Sequence, residues 1–197
     1  MSMIVRYLVP NVFTFFRILL TPIFVYLVLN VRASGILALL VFTVAVVTDY
    51  IDGYFARKLQ ARSSFGAFLD PLADKILVLA TFVAFFFCNI IELWMVIAIV
   101  LRDVFITLFR IICVRNGVHF VTSRLAKWKT TFQFISIYVI LVYLVALREP
   151  AIDGSRLFVN WMRSFLVIPV LMHIVVFITI YTGCIYIIKN YTLLKRS

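Results

Sequence analysis

The stretch Asp49–Lys75, DYIDGYFARKLQARSSFGAFLDPLADK, holds four of the eight acidic residues in a chain of 197 residues. These four are Asp49, Asp52, Asp70 and Asp74, and the sequence on both sides is mainly Val, Ile, Leu and Phe. The members of the first pair are three residues apart and those of the second are four apart, so each pair shares one face of a helix. We therefore predict two antiparallel helices, joined by a short loop, that present four carboxylates to each other.

The composition of the whole chain indicates a membrane protein. Hydrophobic residues make up 65% of it and the mean hydropathy is +1.14, far above the values of soluble domains. A bilayer core of about 30 Å requires about 20 apolar residues per helical span. A backbone in lipid must satisfy its own hydrogen bonds, and the long apolar runs lack the alternation typical of a barrel. The sequence predicts one all-α integral membrane domain over residues 1–197.

Six apolar runs are long enough to be membrane spans, and they predict a bundle of six transmembrane helices. A short segment before the first span, MSMIVRYLVP, is expected in the membrane interface, with Asn11 as the helix N-cap. The third span begins either at Ser64 or at Pro71, and the sixth is too long for one upright span. For the sixth we expect tilt, a kink near Pro169 or an interfacial first part. The predicted spans are 11–31, 35–58, 64–88, 91–115, 128–147 and 157–189.

The distribution of charge predicts the orientation of these spans. The net charge of +11 is better explained by anionic headgroups, the positive-inside bias and an anionic substrate than by nucleic acid. Most Lys and Arg residues fall in the loops on the side of the aspartates and at the C-terminus. Both termini and the aspartate cluster are therefore expected to face the cytoplasm. The N-terminus lacks the pattern of a cleaved signal or transit peptide, which favours a bacterial inner membrane.

Four carboxylates at a membrane edge would repel one another unless they hold cations or become protonated. Hard divalent cations, above all Mg²⁺, suit an all-carboxylate site, and two such ions would balance four carboxylates. A pair of metals is the usual arrangement for displacement at phosphorus. Two other interpretations stay open at this point. The aspartates would form a structural ion-pair network with Arg57, Lys58 or Lys75, or they would line the path of a cation channel or transporter.

The acidic stretch also carries a resemblance. Its pattern is Asp49-x₂-Asp52-Gly53-x₂-Ala56-Arg57-x₈-Gly66-x₃-Asp70-x₃-Asp74. This pattern resembles the complete signature of the CDP-alcohol phosphotransferase family. The resemblance implies a six-span fold, a homodimer, CDP-diacylglycerol as the donor and two Mg²⁺ ions, with Mn²⁺ as the alternative metal.

The resemblance also implies a role for each position of the motif. Asp49, Asp52 and Asp70 would bind the two metal ions, and Asp74 would lie close to them and act as the general base on the acceptor hydroxyl. The remaining positions, with Asp52, would bind the cytidine nucleotide: Gly53 and Ala56 leave space for it, Arg57 contacts its phosphates and Gly66 permits close packing beside it.

Basic residues in the fourth and fifth spans predict the second substrate. Arg102 and Arg110 are eight residues apart, a little over two helical turns, so both would face one cavity. Lys127 and Lys129 open the fifth span. Asp103 is adjacent to Arg102 but not at a helical spacing that brings two side chains together, so the sequence predicts that Arg102 needs another anion. Several cations beside a two-metal site suggest an acceptor that carries its own phosphate.

The branch of the family that the sequence resembles is indicated by two segments, FGAFLDPLADK and Lys127-x-Lys129-Thr130-Thr131. They resemble the members whose acceptor is sn-glycerol 3-phosphate. Members that use phosphatidylglycerol share the DPLADK run but have Asn at the position of Lys129. The resemblance therefore implies glycerol 3-phosphate as the acceptor, with phosphatidylglycerol or an inositol phosphate as the alternatives.

Overall fold

A computed structural model describes the backbone of residues 3–59, 64–115 and 124–194 and the side chains of residues 16–48, 51, 75–109 and 128–188. Regular structure in these backbone ranges is entirely α-helical, which confirms the all-α part of the predicted fold class. Seven helices lie within them. They are α1 (Met3–Leu29), α2 (Gly35–Leu59), α3 (Ser64–Phe87), α4 (Leu93–Arg115), α5 (Arg124–Arg148), α6 (Ser155–Ser164) and α7 (Val167–Leu194).

The first helix begins earlier than the sequence predicts. We expected Asn11 to cap it after an interfacial segment, but α1 runs from Met3 through Pro10 without interruption, so the predicted N-cap is wrong. Residues 3–9 are apolar apart from Arg6 and Tyr7 and continue the hydrophobic pattern of the helix. Proline is tolerated inside helices in apolar surroundings, where neighbouring groups compensate for the lost hydrogen bond.

The long sixth run is two helices rather than one kinked span. The chain breaks between α6 and α7 at Phe165 and Leu166, and Leu166 has a φ of 49°. Pro169 lies in the first turn of α7, where its missing N–H has no partner to lose, so the break precedes the proline instead of occurring at it. The short α6 buries Val159 and Met162, as an amphipathic segment does.

Two close contacts, one at Phe42 and one at Gly35, join helices that are distant in the sequence. α1 packs against α2 and α3, whereas α5 packs against α2, α6 and α7, and α4 against α3 and α7. Phe42 of α2 joins the two groups, with its ring centroid 5.3 Å from that of Phe24 and 5.4 Å from that of Tyr138. A Cβ atom on Gly35 would lie 2.7 Å from Cα of Val145, so only glycine permits this approach of α2 to α5.

One end of the bundle is held by Arg148 at the end of α5. Its guanidinium donates to the carbonyl of Leu27 at 2.9 Å and to that of Val28 at the C-terminus of α1. The Cys88 thiol, just after α3, donates to the same Val28 carbonyl at 3.3 Å. These contacts satisfy carbonyls that a helix end leaves without partners. The ends of α1, α3 and α5 therefore meet at the end of the bundle opposite the aspartate motif.

Large apolar side chains cover the outside of the bundle. Leu101 is 63% exposed and Phe177 is 69% exposed, and similar side chains line the outer faces of α1, α2 and α5. Two helices among the described residues are long and apolar enough to cross a membrane, Trp128–Arg148 and Val167–Ile188. Shorter apolar stretches occupy 16–29, 35–48 and 75–87. An apolar surface of this extent is typical of contact with lipid rather than water.

Candidate active site

The acidic motif is carried by two helices. The backbone places Asp49, Asp52 and the Gly53–Arg57 segment in the C-terminal part of α2, and Gly66, Asp70 and Asp74 in the first part of α3. Of the two starts predicted for the third span, the structure has the earlier one, at Ser64. The helical backbone gives each aspartate pair the predicted spacing along one face. The side chains of all eight motif residues, which include Ala56 and Arg57, lie outside the described part of the structure.

Beside the end of this motif the structure brings cations from three helices together. Lys129 of α5 places its Nζ 2.6 Å from both Oδ1 and Oδ2 of Asp103 on α4. Arg102 places Nη1 3.1 Å from Oδ1 of the same carboxylate. Lys75 of α3 lies close enough to repel Lys129 electrostatically. We call these four residues, Lys75, Arg102, Asp103 and Lys129, the cationic cluster.

The pairing of Arg102 with Asp103 corrects an inference from the sequence. Helical spacing predicted that Asp103 points away from Arg102, but the long and flexible arginine side chain bends back to the neighbouring carboxylate. Adjacent helical residues point about 100° apart, which a short side chain cannot overcome but a guanidinium on three methylenes can. The Asp103 carboxylate thus contacts two of the predicted acceptor-binding residues, Arg102 and Lys129.

The cationic cluster keeps a positive charge although it contains an acid. Three cations and one carboxylate leave a net charge of +2 (three minus one) among these described side chains. The side chains of Lys129 and Asp103 are each only 7% exposed. A lysine ammonium carries three N–H groups, of which two go to Asp103. An excess of positive charge on buried and half-buried side chains favours the binding of an anion.

Lys75 has a role that the sequence did not indicate. Its Nζ donates to the Thr107 hydroxyl, which in turn donates to the backbone carbonyl of Asp103 at 2.6 Å. Since Lys75 directly follows Asp74 in α3, this chain of contacts joins the acidic motif to α4. The sequence contains no signal for this contact with α3, because the spacing of Thr107 and Asp103 predicts only their contact within α4.

Arg102 has a second partner from α7 that sequence reasoning also missed. Its Nη2 donates to the Thr182 hydroxyl at 3.2 Å, and its side chain crosses Gly183. The signal in the sequence is weak, because Thr182 and Gly183 lie in a mainly apolar run that also contains Thr179 and Tyr186. The other two predicted acceptor residues, Arg110 and Lys127, lie outside the described side chains. Another cation, Arg17 of α1, has a side chain that is only 1% exposed.

Comparisons with known proteins agree with the motif. The family model for CDP-alcohol phosphatidyltransferases matches residues 7–181. Similar curated proteins include a CDP-diacylglycerol–glycerol-3-phosphate 3-phosphatidyltransferase of Bacillus subtilis, 31% identical over 201 residues that cover 95% of this chain and 97% of the relative. Proteins of the same name from Haemophilus influenzae and Mycoplasma pneumoniae are 35% and 30% identical, over 67% and 76% of this chain and 74% of each relative.

The family model covers far more than half of the chain, and the Bacillus subtilis relative aligns over nearly all of it. Both matches confirm the resemblance that the spacing of the four aspartates predicts. The chain belongs to the CDP-alcohol phosphatidyltransferase family.

Proposed function

We propose that this protein transfers the phosphatidyl group from CDP-diacylglycerol to sn-glycerol 3-phosphate, giving phosphatidylglycerophosphate and CMP. The observation that carries the proposal is the cationic cluster, whose Lys129 and Asp103 are buried and which begins at Lys75, the residue directly after the acidic motif. The motif fits the donor chemistry of the family. The excess positive charge beside it fits an acceptor with its own phosphate, and the names of the three relatives agree with that acceptor.

We infer that the protein spans the membrane six times, by α1 to α5 and α7, and that α6 lies along the surface. The exposed apolar side chains and the two long apolar helices support a membrane location. The distribution of Lys and Arg supports a cytoplasmic active site and, in a bacterium, an inner-membrane location. A homodimer is proposed from the family alone.

The acidic motif suits two divalent cations, Mg²⁺ or Mn²⁺. The donor set consists of carboxylates only, Asp49 and Asp52 from α2 and Asp70 and Asp74 from α3, and hard cations prefer oxygen ligands of this kind. Bound ions would neutralise the diphosphate oxygens of the donor and stabilise the departing CMP. The aspartates would hold these ions in place, and the family resemblance assigns Arg57 to the nucleotide phosphates.

The remaining steps belong to side chains of the protein. Asp74 accepts the proton of the 1-hydroxyl of glycerol 3-phosphate, whose oxygen then attacks the β-phosphorus of the donor. The bond from that phosphorus to the CMP oxygen breaks, and CMP leaves with the electron pair. Gly53, Ala56 and Gly66 leave room for the nucleotide beside the helices. Phosphoryl transfer of this type depends mainly on positioning and on charge.

The cationic cluster binds the phosphate of the acceptor in this proposal. Its net charge of +2 matches a phosphomonoester dianion. Lys129 has one N–H beyond those that Asp103 accepts, and the guanidinium of Arg102 also has further N–H groups. Arg110 and Lys127 complete the proposed acceptor site from α4 and α5.

The test is release of CMP by the purified protein in the presence of CDP-diacylglycerol and Mg²⁺. Glycerol 3-phosphate, phosphatidylglycerol, inositol 1-phosphate and serine are offered separately, with Asp74→Asn as the control. We expect release with glycerol 3-phosphate alone and none from the variant. Release with phosphatidylglycerol or inositol phosphate instead would support the proposed donor reaction and contradict glycerol 3-phosphate as the acceptor. No release with any acceptor, together with cation flux in sealed vesicles, would favour an acid-lined transporter.

A further inference from the structure

The last helix carries a row of polar and small residues that no step of the reaction described above uses. In α7 the residues Thr179, Thr182, Gly183 and Tyr186 follow one another at helical spacing, and all four are buried. The opposite face of the same helix exposes Phe177 and Ile180. Polar residues inside an apolar helix generally face other protein groups instead of lipid. The row therefore marks the side of α7 that meets α4 and α5.

Thr182 is fixed as a hydrogen-bond acceptor for Arg102. The Thr182 hydroxyl donates its proton to the carbonyl of Ile178 at 2.7 Å, one turn back in the same helix. Its oxygen lone pairs therefore face outward, and Nη2 of Arg102 donates to that oxygen at 3.2 Å. A threonine or a serine supplies this acceptor, but a valine of the same shape does not.

Gly183 provides the space through which the Arg102 side chain passes. A Cβ atom on Gly183 would lie 3.2 Å from Cγ of Arg102 and 3.4 Å from its Nε. These atoms belong to a flexible side chain and not to backbone, so an added methyl group would move the arginine without breaking the helix contact. The Arg102 guanidinium can therefore occupy its position only because residue 183 is a glycine.

Both terminal nitrogens of the Arg102 guanidinium are therefore hydrogen-bonded. Nη1 lies 3.1 Å from Oδ1 of Asp103 and Nη2 lies 3.2 Å from Thr182, while Nε is buried with no hydrogen-bond partner among the described residues. Two bonds to a planar guanidinium set its plane as well as its location. A small displacement of the guanidinium would weaken its interaction with a bound anion, because that interaction depends on accurate positioning.

We propose that Thr182 and Gly183 are positioning residues that orient Arg102 toward the phosphate of the acceptor and so contribute to acceptor selectivity. This inference rests on the proposed function, because it assigns the acceptor phosphate to Arg102. It adds α7 to the elements that determine which alcohol is used. Neither residue touches the reacting atoms, and both act through Arg102.

The experiment measures KM for glycerol 3-phosphate, KM for CDP-diacylglycerol and kcat for Thr182→Val, Gly183→Ala and Thr182→Ser. We expect Thr182→Val to raise KM for glycerol 3-phosphate about tenfold, as loss of a hydrogen bond to a charged group does. Gly183→Ala should also raise this KM, because the added methyl group displaces the Arg102 side chain. KM for CDP-diacylglycerol is expected to stay unchanged, and Thr182→Ser to behave like the wild type. Thr81→Val is the matched control, because Thr81 is also buried and its hydroxyl donates to Leu77 in its own helix.

A second measurement separates positioning from folding. In an Arg102→Lys background, Thr182→Val should cause no further rise in KM, because the group that Thr182 orients has gone. An additive rise, an equal rise in both KM values, or unchanged KM values would overturn the inference while the proposed function stands. If the wild type transfers nothing to glycerol 3-phosphate, the proposed function fails and this inference fails with it.

Discussion

Lys129 on α5 and Asp103 on α4 share two hydrogen bonds of 2.6 Å, and both side chains are 7% exposed. This pair joins the two helices that supply the proposed acceptor-binding residues. It also determines how much positive charge the cationic cluster retains, because Asp103 is its only carboxylate among the described side chains. Several expectations for stability and activity depend on it.

Removal of the Asp103 charge should destabilise the protein strongly. Asp103→Asn leaves Lys129 buried without its carboxylate, and loss of one partner from a buried pair costs about 3–5 kcal/mol. The double variant Asp103→Asn with Lys129→Met should regain part of that free energy of unfolding. Unfolding in mixed detergent micelles would measure both. Glu92→Gln, at an exposed acid outside the cluster, serves as the control and should change little.

Replacement of Lys129 should weaken use of the acceptor more than use of the donor. Lys129→Asn removes one of the cations proposed to hold the acceptor phosphate, a bond type worth about 1.5–3 kcal/mol. We expect kcat/KM for glycerol 3-phosphate to fall about 10- to 100-fold, with KM for CDP-diacylglycerol unchanged. An equal loss for both substrates would assign Lys129 to the ion pair that links α5 to α4 and not to the acceptor.

Removal of divalent cations should abolish transfer reversibly. Chelation is expected to stop CMP release, and addition of Mg²⁺ or Mn²⁺ should restore it, because the proposed donor set is made of four carboxylates. Direct titration with Mn²⁺, read by its paramagnetic signal, should show binding that Asp49→Asn with Asp70→Asn removes. Full activity after exhaustive chelation would contradict the metal site.

Replacement of Arg148 by lysine should destabilise the protein. Its guanidinium binds the carbonyls of Leu27 and Val28 together, which the single ammonium of lysine cannot reproduce in the same geometry. Arg148→Lys should therefore lower the free energy of unfolding by about 1–3 kcal/mol, the cost of buried carbonyls left without donors. The matched control is Arg156→Lys on the exposed side of α6, which should leave stability unchanged.

The sequence predicted the helices and the family because both depend on local patterns. Long apolar runs determine where helices form, and the fixed spacing of Asp49, Asp52, Asp70 and Asp74 identifies the family. The family match confirms that reading. The metal roles of these aspartates stay predictions.

Contacts between distant helices were less predictable. Spacing along one helix could not show that Asp103 pairs with Lys129 of another helix, nor that Arg102 bends back to its neighbour. Likewise, Thr182 and Gly183 looked like ordinary members of an apolar run until α7 was placed against α4. Asn11 failed as a predicted N-cap because the continuing apolar pattern outweighed the local signal of Pro10.

The position of Lys129 on α5 suggests the depth at which the proposed reaction occurs. The described apolar part of α5, Trp128–Arg148, has 21 residues and rises about 31 Å along a helix, close to the thickness of a bilayer core. In the membrane orientation that we propose, Trp128, 59% exposed, would lie near one face of the hydrocarbon and Arg148 near the other. Lys129 directly follows Trp128, so its ammonium would lie near the level of the lipid headgroups. At that depth a lipid donor would arrive laterally and a water-soluble acceptor from the aqueous side, and neither would need to cross the membrane.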